Sequence, residues 1–243
     1  MSIAIIVPAY KASDNIEKLI FSISKFLKDP IIIIVDDSPN KEIQEKIRKF
    51  NNVRYIYRGE KLGRGSAVIE GMKNLINEKN ISKIIEMDAD LSHDPSEINN
   101  NLKIFENGNL DLLISSRYLK ESKIINWGLE RRIFSLLANK LAKFVLKIPI
   151  TDYTNGFRIY SKNSIKHIIE NCGKIGGGFI ILSEILVELY FNNFKVKEVQ
   201  SIFKNRIRGE SSVNLKLILE SFFGLFKVYK KKREILKKIT KYS

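Results

Sequence analysis

The chain has 243 residues, 44% of them hydrophobic, a formal net charge of +15 and one cysteine. That apolar share excludes a disordered chain and fits one large domain, with or without an appendage. A lone Cys172 excludes an internal disulfide and a thiolate metal cluster, and reads as a small buried hydrophobe in a reducing compartment.

In chain order, an apolar strand is predicted at residues 3–7, with Pro8 and Tyr10 at its carboxyl end. No basic leader or long hydrophobic segment precedes it, which argues against secretion. Ile16, Leu19, Ile20, Ile23, Phe26 and Leu27 recur at helical spacing, so a helix packing on a sheet follows. The uninterrupted aliphatic run at 31–35 predicts a strand covered on both faces, ending at Asp36 and Asp37. A helix at 41–50, a strand at 53–57, a helix at 66–78, a strand at 83–87, a helix at 95–107 and a strand at 110–115 repeat the alternation. The first 115 residues therefore read as an open, mostly parallel α/β sheet, whose ligands bind outside the carboxyl ends of the strands. The second half is less regular, with helices predicted at 129–146, 161–171 and 180–191. The stretch GKIGGGF at 173–179 reads as a flexible joint or a loop of close backbone approach.

Two loops carry candidate chemistry. In GEKLGRGSA (59–67), Gly63 and Gly65 feed a helix whose backbone N–H groups favour an anion, though glycines at a tight helix entry need no ligand. In EMDADLSHDP (86–95), Asp94, Pro95 and Glu97 have the pattern of a helix start. Asp88 and Asp90 have no such job. On extended backbone, residues two apart point the same way, and convergent carboxylates need a positive partner. Hard oxygen ligands suit Mg2+ or Mn2+, so a divalent cation competes here with a pair of solvated turn carboxylates. His93 follows the aspartates and His167 lies in a predicted helix; a packed or surface histidine is favoured at both.

Together, IVPAYKASDNI, VDDSPN, KLGRGSA, MDADLSHDP, SSRY, DYTNGFRIYS and FKNRIRGESS resemble, in sequence and order, the GT-A glycosyltransferases of the family that includes dolichol-phosphate mannose synthases. The resemblance runs from about residue 3 to 212. It implies a GT-A fold, with residues 1–212 as the glycosyltransferase domain and 213–243 as a basic amphipathic tail. It also implies a nucleotide-diphosphate sugar donor, a polyprenyl or dolichyl phosphate acceptor, and Mg2+ or Mn2+ as cofactor. By position, Pro8, Tyr10, Val35 and Asp37 would line the nucleotide. Asp88, Ala89 and Asp90 would sit under the ribose, metal and diphosphate, with Asp88 and Asp90 as metal ligands. Arg117 and Arg206 would face the phosphates, and Asp90, Arg117 and Arg131 would form the catalytic set. The family's reaction is a single displacement with inversion, and GDP-mannose is the expected donor. Lys11 and Ala12 replace the family's usual Asn-Glu and Ser212 an expected lysine. A UDP-sugar donor and a non-catalytic sugar-nucleotide or lipid-phosphate binding protein therefore remain as alternatives.

In the tail, Leu215, Ile218, Leu219, Phe222, Phe226 and Tyr229 form an apolar stripe followed by KKKREILKK (230–238). Residues 203–243 hold twelve Lys and Arg against three Glu. This predicts a helix on an anionic membrane surface or against a membrane-anchoring subunit, ahead of self-packing. No groove-reading or base-stacking motif accompanies the charge, so nucleic acid is not expected. No stretch approaches the roughly 20 apolar residues of a spanning helix, and the expected location is peripheral, on the cytoplasmic face of a membrane.

Overall fold

The computed structural model describes residues 2–205 and 215–242, with side chains for 2–205 and 223–240. The first half alternates as the sequence predicts: β1 (Ser2–Ala9), α1 (Ser13–Ser24), β2 (Ile31–Asp36), α2 (Glu42–Ile47), β3 (Val53–Tyr57), α3 (Arg64–Leu75) and β4 (Ile81–Glu86). A single 3-10 turn (Pro95–Glu97) leads into α4 (Ile98–Asn107), followed by β5 (Leu112–Ser116). Asp94 caps that turn through Ser96 N, as its position in the sequence suggests. Then come β6 (Lys123–Ile125), α5 (Leu129–Leu146), β7 (Arg158–Ser161), α6 (Lys162–Asn171), α7 (Ile180–Phe191), β8 (Val196–Gln200), β9 (Ile202–Lys204) and α8 (Leu215–Tyr242).

The main sheet runs β3-β2-β1-β4-β7-β5-β8. Its ladders are parallel except those of β7, which is antiparallel to both β4 and β5. Successive aliphatics of β2 serve opposite faces. Ile33 and Val35 join the core beneath α3, α6 and α7, while Ile32 and Ile34 join the core beneath α1, α2 and α4. The chain order reverses at β1, which has β2 on one side and β4 on the other. Such a switch opens a crevice at the carboxyl ends of the strands.

The inserted strand β7 is not predicted by the sequence. It is only four residues long and begins with an arginine. Burial of Arg158 is made tolerable by three carbonyls, since Nε, Nη1 and Nη2 donate to Asn155 O, Leu182 O and Tyr153 O at 2.9, 2.9 and 3.1 Å. β7 carries the DYTNGF segment next to the end of β4, so a motif 60 residues away joins the Asp88 turn.

One face of the tail helix packs on the body of the protein, an arrangement its composition ranks behind a membrane surface or subunit. Leu225, Val228 and Ile235 are buried in the main core, and Gly224 lies so close to α7 that a Cβ there would meet Ile180 Cγ1 at 2.7 Å. The basic run splits: Lys230 is exposed, whereas Lys232 is buried over the Phe191 ring. Lys231 bonds the carbonyl of Asn171 and reaches Glu184 Oε1 at 2.9 Å and Glu188 Oε2 at 3.0 Å. This face of α8 is therefore self-packed. Leu215, Ile218, Leu219 and Phe222 of the predicted stripe fall outside the described side chains, while Phe226 is exposed.

Replacing Lys231 by Ala leaves the fully buried Glu184 without its cation, and we expect a loss of about 3 kcal/mol in urea unfolding. Lys230→Ala, on the solvent side of the same helix, should change the midpoint negligibly.

Candidate active site

The carboxylates that converge on extended backbone are Glu86 and Asp88, and the positive partner between them is Arg64. Its Nη1 donates to Glu86 Oε1 at 2.5 Å and its Nε to Asp88 Oδ1 at 2.7 Å, while Nη2 reaches the Gly156 carbonyl at 3.4 Å. Glu86 Oε2 accepts from Tyr160 OH at 2.6 Å, which completes a buried network. Burial pushes the Asp88 carboxyl up, but the Arg64 guanidinium outweighs it, helped by Arg117, and holds the group below the ordinary carboxylate range.

Glycines let Arg64 into this position. Gly63 precedes α3 at φ +100, a left-handed conformation that a side chain would strain. A Cβ on Gly156 would overlap the Arg64 guanidinium, and one on Gly65 would lie 2.7 Å from Gly178 O. Gly65 N and Ser66 N both donate to Gly177 O, at 2.7 and 3.1 Å, and Gly63 N donates to Asp37 Oδ2 at 3.0 Å. The amides of Gly63, Gly65 and Ser66 at the start of α3 are thus engaged within the protein. GKIGGGF is a loop of close approach, closing on the start of α3.

Asp88 is also fixed through its backbone. Its N–H donates to His93 Nδ1 at 3.1 Å, so the proton of the imidazole sits on Nε2, which donates to Asn155 Oδ1 at 3.0 Å. Asn155 Nδ2 in turn bonds Ser115 O. His93 is buried against Phe157 and Phe203 and acts as a strut. Beyond Asp88 the chain leaves extended geometry: Leu91 has φ +62, and Asp90 Oδ1 accepts from Ser92 N at 3.1 Å. Asp88 and Asp90 thus belong to one tight turn rather than to one face of a strand.

Arg117, expected to face the phosphates, is largely held within the protein. It is 8% exposed and forks onto the fully buried Asp152, with Nε to Oδ2 at 2.7 Å and Nη2 to Oδ1 at 2.8 Å. Nη2 also donates to Thr154 Oγ1, and the guanidinium lies 5.5 Å from the Trp127 ring and 5.3 Å from that of Phe203. Among the described residues only Nη1 has no hydrogen-bond partner, so that is the edge an anion would meet. Arg131, in the first turn of α5, stacks on Trp127 at 4.3 Å and reaches Asn205 Oδ1 at 3.4 Å.

On the other side of the crevice, Pro8 and Val35 are register partners at adjacent strand ends. The Val35 side chain is wholly in the core, so only its backbone can face a ligand. Asp37 accepts from Arg58 Nε at 2.5 Å as well as from Gly63 N, and Ala89 is buried. Tyr10 is exposed, with Lys61 Nζ 4.6 Å from its ring centre. Arg206 and Ser212 lie outside the described residues. Glu86, Ser92, Asp152 and Asn155 lie inside the quoted motifs but were not singled out from the sequence, and Arg64 was noted there only as a neighbour of the glycines.

The model of the family described as glycosyl transferase family 2 matches residues 4–169. A dolichol-phosphate mannosyltransferase of Pyrococcus furiosus is 34% identical over 251 residues, which span 100% of this chain and 68% of that protein. A polyprenol monophosphomannose synthase of Mycolicibacterium smegmatis is 28% identical over 90% of this chain and 83% of its own. Among solved structures, glucosyl-3-phosphoglycerate synthase from Mycobacterium tuberculosis, in complex with Mn2+, UDP-glucose and phosphoglyceric acid, superposes with a TM-score of 0.67 over 94% of this chain and 80% of that chain. At 16% identity this likeness concerns the fold. It bears out the mostly parallel, helix-flanked GT-A architecture.

The buried pair supplies a pH test. Burial pushes the Asp152 carboxyl up, but Arg117 and two backbone amides win and hold it below its ordinary value. The pair's stabilisation is therefore fully present above the unfolded carboxylate pKa of about 3.9 and is lost as pH falls through the lower folded value. Asp152→Asn should cost about 3 kcal/mol at pH 6, and its deficit against the parent chain should shrink toward pH 3 in urea unfolding.

Proposed function

The chain belongs to glycosyl transferase family 2, and on that premise we propose that it transfers mannose from GDP-mannose to a polyprenyl or dolichyl phosphate, with inversion and with Mg2+ or Mn2+. The observation that carries this reading is the Asp88–Asp90 turn, held by Arg64 and His93 at the switch point of the sheet, with Arg117 and Arg131 on the side of β5. Two mannose synthases acting on polyprenol-type phosphates among the relatives support the substrate class.

The turn fits a hard divalent ion. Asp88 Oδ1 is taken by Arg64, while Oδ2 lies 3.9 Å from His93 Nε2, beyond hydrogen-bond range. The Ser92 hydroxyl, one residue past Leu91, is buried without a partner among the described residues. Among the described residues no group of three or more His, Cys, Asp or Glu forms a complete cage. Asp88 and Asp90 would hold the ion, with remaining ligands drawn from the donor's phosphates, as is usual for Mg2+. Bound there, it would supply Lewis-acid stabilisation to the departing diphosphate.

The protein's own residues do the rest. Arg64 keeps Asp88 ionised and oriented. The free Nη1 edge of Arg117 and the guanidinium of Arg131 offset repulsion between two phosphate-bearing substrates and align them for in-line displacement. No protein base is needed, because the acceptor phosphate has a second pKa of roughly 6 and is largely dianionic at neutral pH. His93, with both ring nitrogens engaged, fits that absence. At the base end, Lys11 and the buried Ala12 put no carboxylate near Tyr10. That feature keeps a UDP-sugar donor as the second reading.

Incubation with Mn2+, polyprenyl phosphate and a panel of sugar nucleotides, followed by mass analysis of the lipid, decides between them. We expect mannosyl phospholipid from GDP-mannose; product from UDP-glucose alone would select the second reading, and none from any donor would leave a binding protein. Asp90→Ala and EDTA should each reduce transfer by about 100-fold or more, with Mn2+ rescuing only the chelated enzyme.

A further inference from the structure

Outside the site, one buried ion pair ties several elements together. Glu184 of α7 is fully buried and its two oxygens serve different partners, with Oε1 accepting from Lys231 Nζ of α8 at 2.9 Å and Oε2 from Gly173 N at 3.1 Å. Lys231 Nζ also bonds the carbonyl of Asn171, the last residue of α6. Gly173 is the first residue of the GKIGGGF loop, whose last residue is Phe179. Next to Phe179, Ile180 lies against Gly224 of α8, where an added Cβ would come within 2.7 Å of it. Helix α8 therefore grips the loop at both ends.

The middle of the loop grips Arg64. Gly177 O accepts from Gly65 N and Ser66 N, the two residues after Arg64, and a Cβ on Gly177 would lie 2.5 Å from Leu62 O on the other side. The Phe179 ring lies 5.5 Å from the Arg64 guanidinium. Three successive glycines at 176–178 give the span little stiffness of its own, so its course is set by what it is tied to. The contacts form one continuous chain, from Lys231 to Glu184, from Glu184 to Gly173, from the loop to the start of α3, and from Arg64 to Asp88. Neither Lys231 nor Glu184 has a part in the proposed chemistry.

We propose that Lys231 and Glu184 are positioning residues for Arg64: docking of α8 fixes the GKIGGGF loop, and the fixed loop holds Arg64 on Glu86 and Asp88. This deepens the metal and donor reading above and rests on it. An arginine that orients a metal-binding carboxylate must itself be held, because small displacements behind a ligand weaken the site. The coupling is reciprocal. If a loosened α8 weakens the seating of ion and nucleotide at Asp88, then by linkage their binding must tighten α8.

Lys231→Met, which keeps the length of the side chain and removes its charge, tests this in the full chain. In hydrogen exchange of the ligand-free protein, residues 62–68 should exchange about fivefold or more faster in the variant while residues 31–36 of β2 change little. Lys230→Ala, on the exposed side of the same helix, should change neither. In calorimetry with Mn2+, Lys231→Met should bind GDP about fivefold or more weakly than the parent, and Lys231→Arg should recover most of that loss. The loss should vanish when Arg64→Gln is already present, because Lys231 acts through Arg64. A second measurement needs no variant: Mn2+ with GDP should slow exchange in residues 224–235 of α8 in the parent. Faster exchange spread evenly along the variant chain, a loss of GDP affinity that persists in full without Arg64, or no slowing of α8 in a parent that binds Mn2+ and GDP makes Lys231 a stabilising residue only and overturns the proposal. A parent that binds GDP alike with Mn2+ and with EDTA strikes the metal reading instead, and the exchange pattern of the ligand-free variant then decides by itself whether α8 positions Arg64.

Discussion

Everything at the carboxyl edge of this sheet depends on one guanidinium between two carboxylates. Glu86 and Asp88 lie two residues apart where β4 ends, both withdrawn from bulk water, and without a cation one of them would have to take up a proton. Arg64 settles that conflict by bonding both. Because it stands at the first position of α3, the same contact docks that helix, and Gly156 must lack a side chain for the guanidinium to pass. A neutral Asp88 would be a poor metal ligand; an ionised one fixed at Oδ1 leaves its second oxygen for a cation.

The other supports follow from the strand inserted between β4 and β5. By running antiparallel there, β7 places the preceding turn alongside the Asp88 loop. Asn155 then reaches His93, Asp152 reaches Arg117 and the Gly156 carbonyl faces Arg64. Buried ionic groups seldom add much net stability, because desolvation offsets most of the Coulomb attraction. Here they set orientation. A catalytic constellation tolerates little positional error, and rigid partners behind the ligand-facing groups supply that precision.

Much of the first half was legible in the sequence, since long aliphatic runs and helical spacing report burial directly. The five strands of residues 2–116 and the helices between them fall within a few residues of expectation. β7 was not legible because its hydrogen bonds and its buried arginine depend on partners remote in sequence. The role of Arg64 was hidden for the same reason, and pairing Asp88 with Asp90 assumed extended backbone that ends before Leu91. Within the tail, composition could not show that Lys231 and Lys232 are inward: they look like surface charge until Glu184, Glu188 and Phe191 are placed beside them. Conversely, the periodicity of α5 announced a helix without telling which side faced the core.

On the proposed reading, the Asp88–Asp90 turn, preset by Arg64, takes up a divalent ion together with a nucleoside diphosphate. Calorimetric titration of GDP into the protein, with Mn2+ or with EDTA, tests this without requiring turnover. Mn2+ should tighten GDP binding about tenfold or more, and Arg64→Gln or Asp88→Asn should remove most of that gain. GDP binding of equal affinity with Mn2+ and with chelator, in a protein that retains its fold, would contradict it.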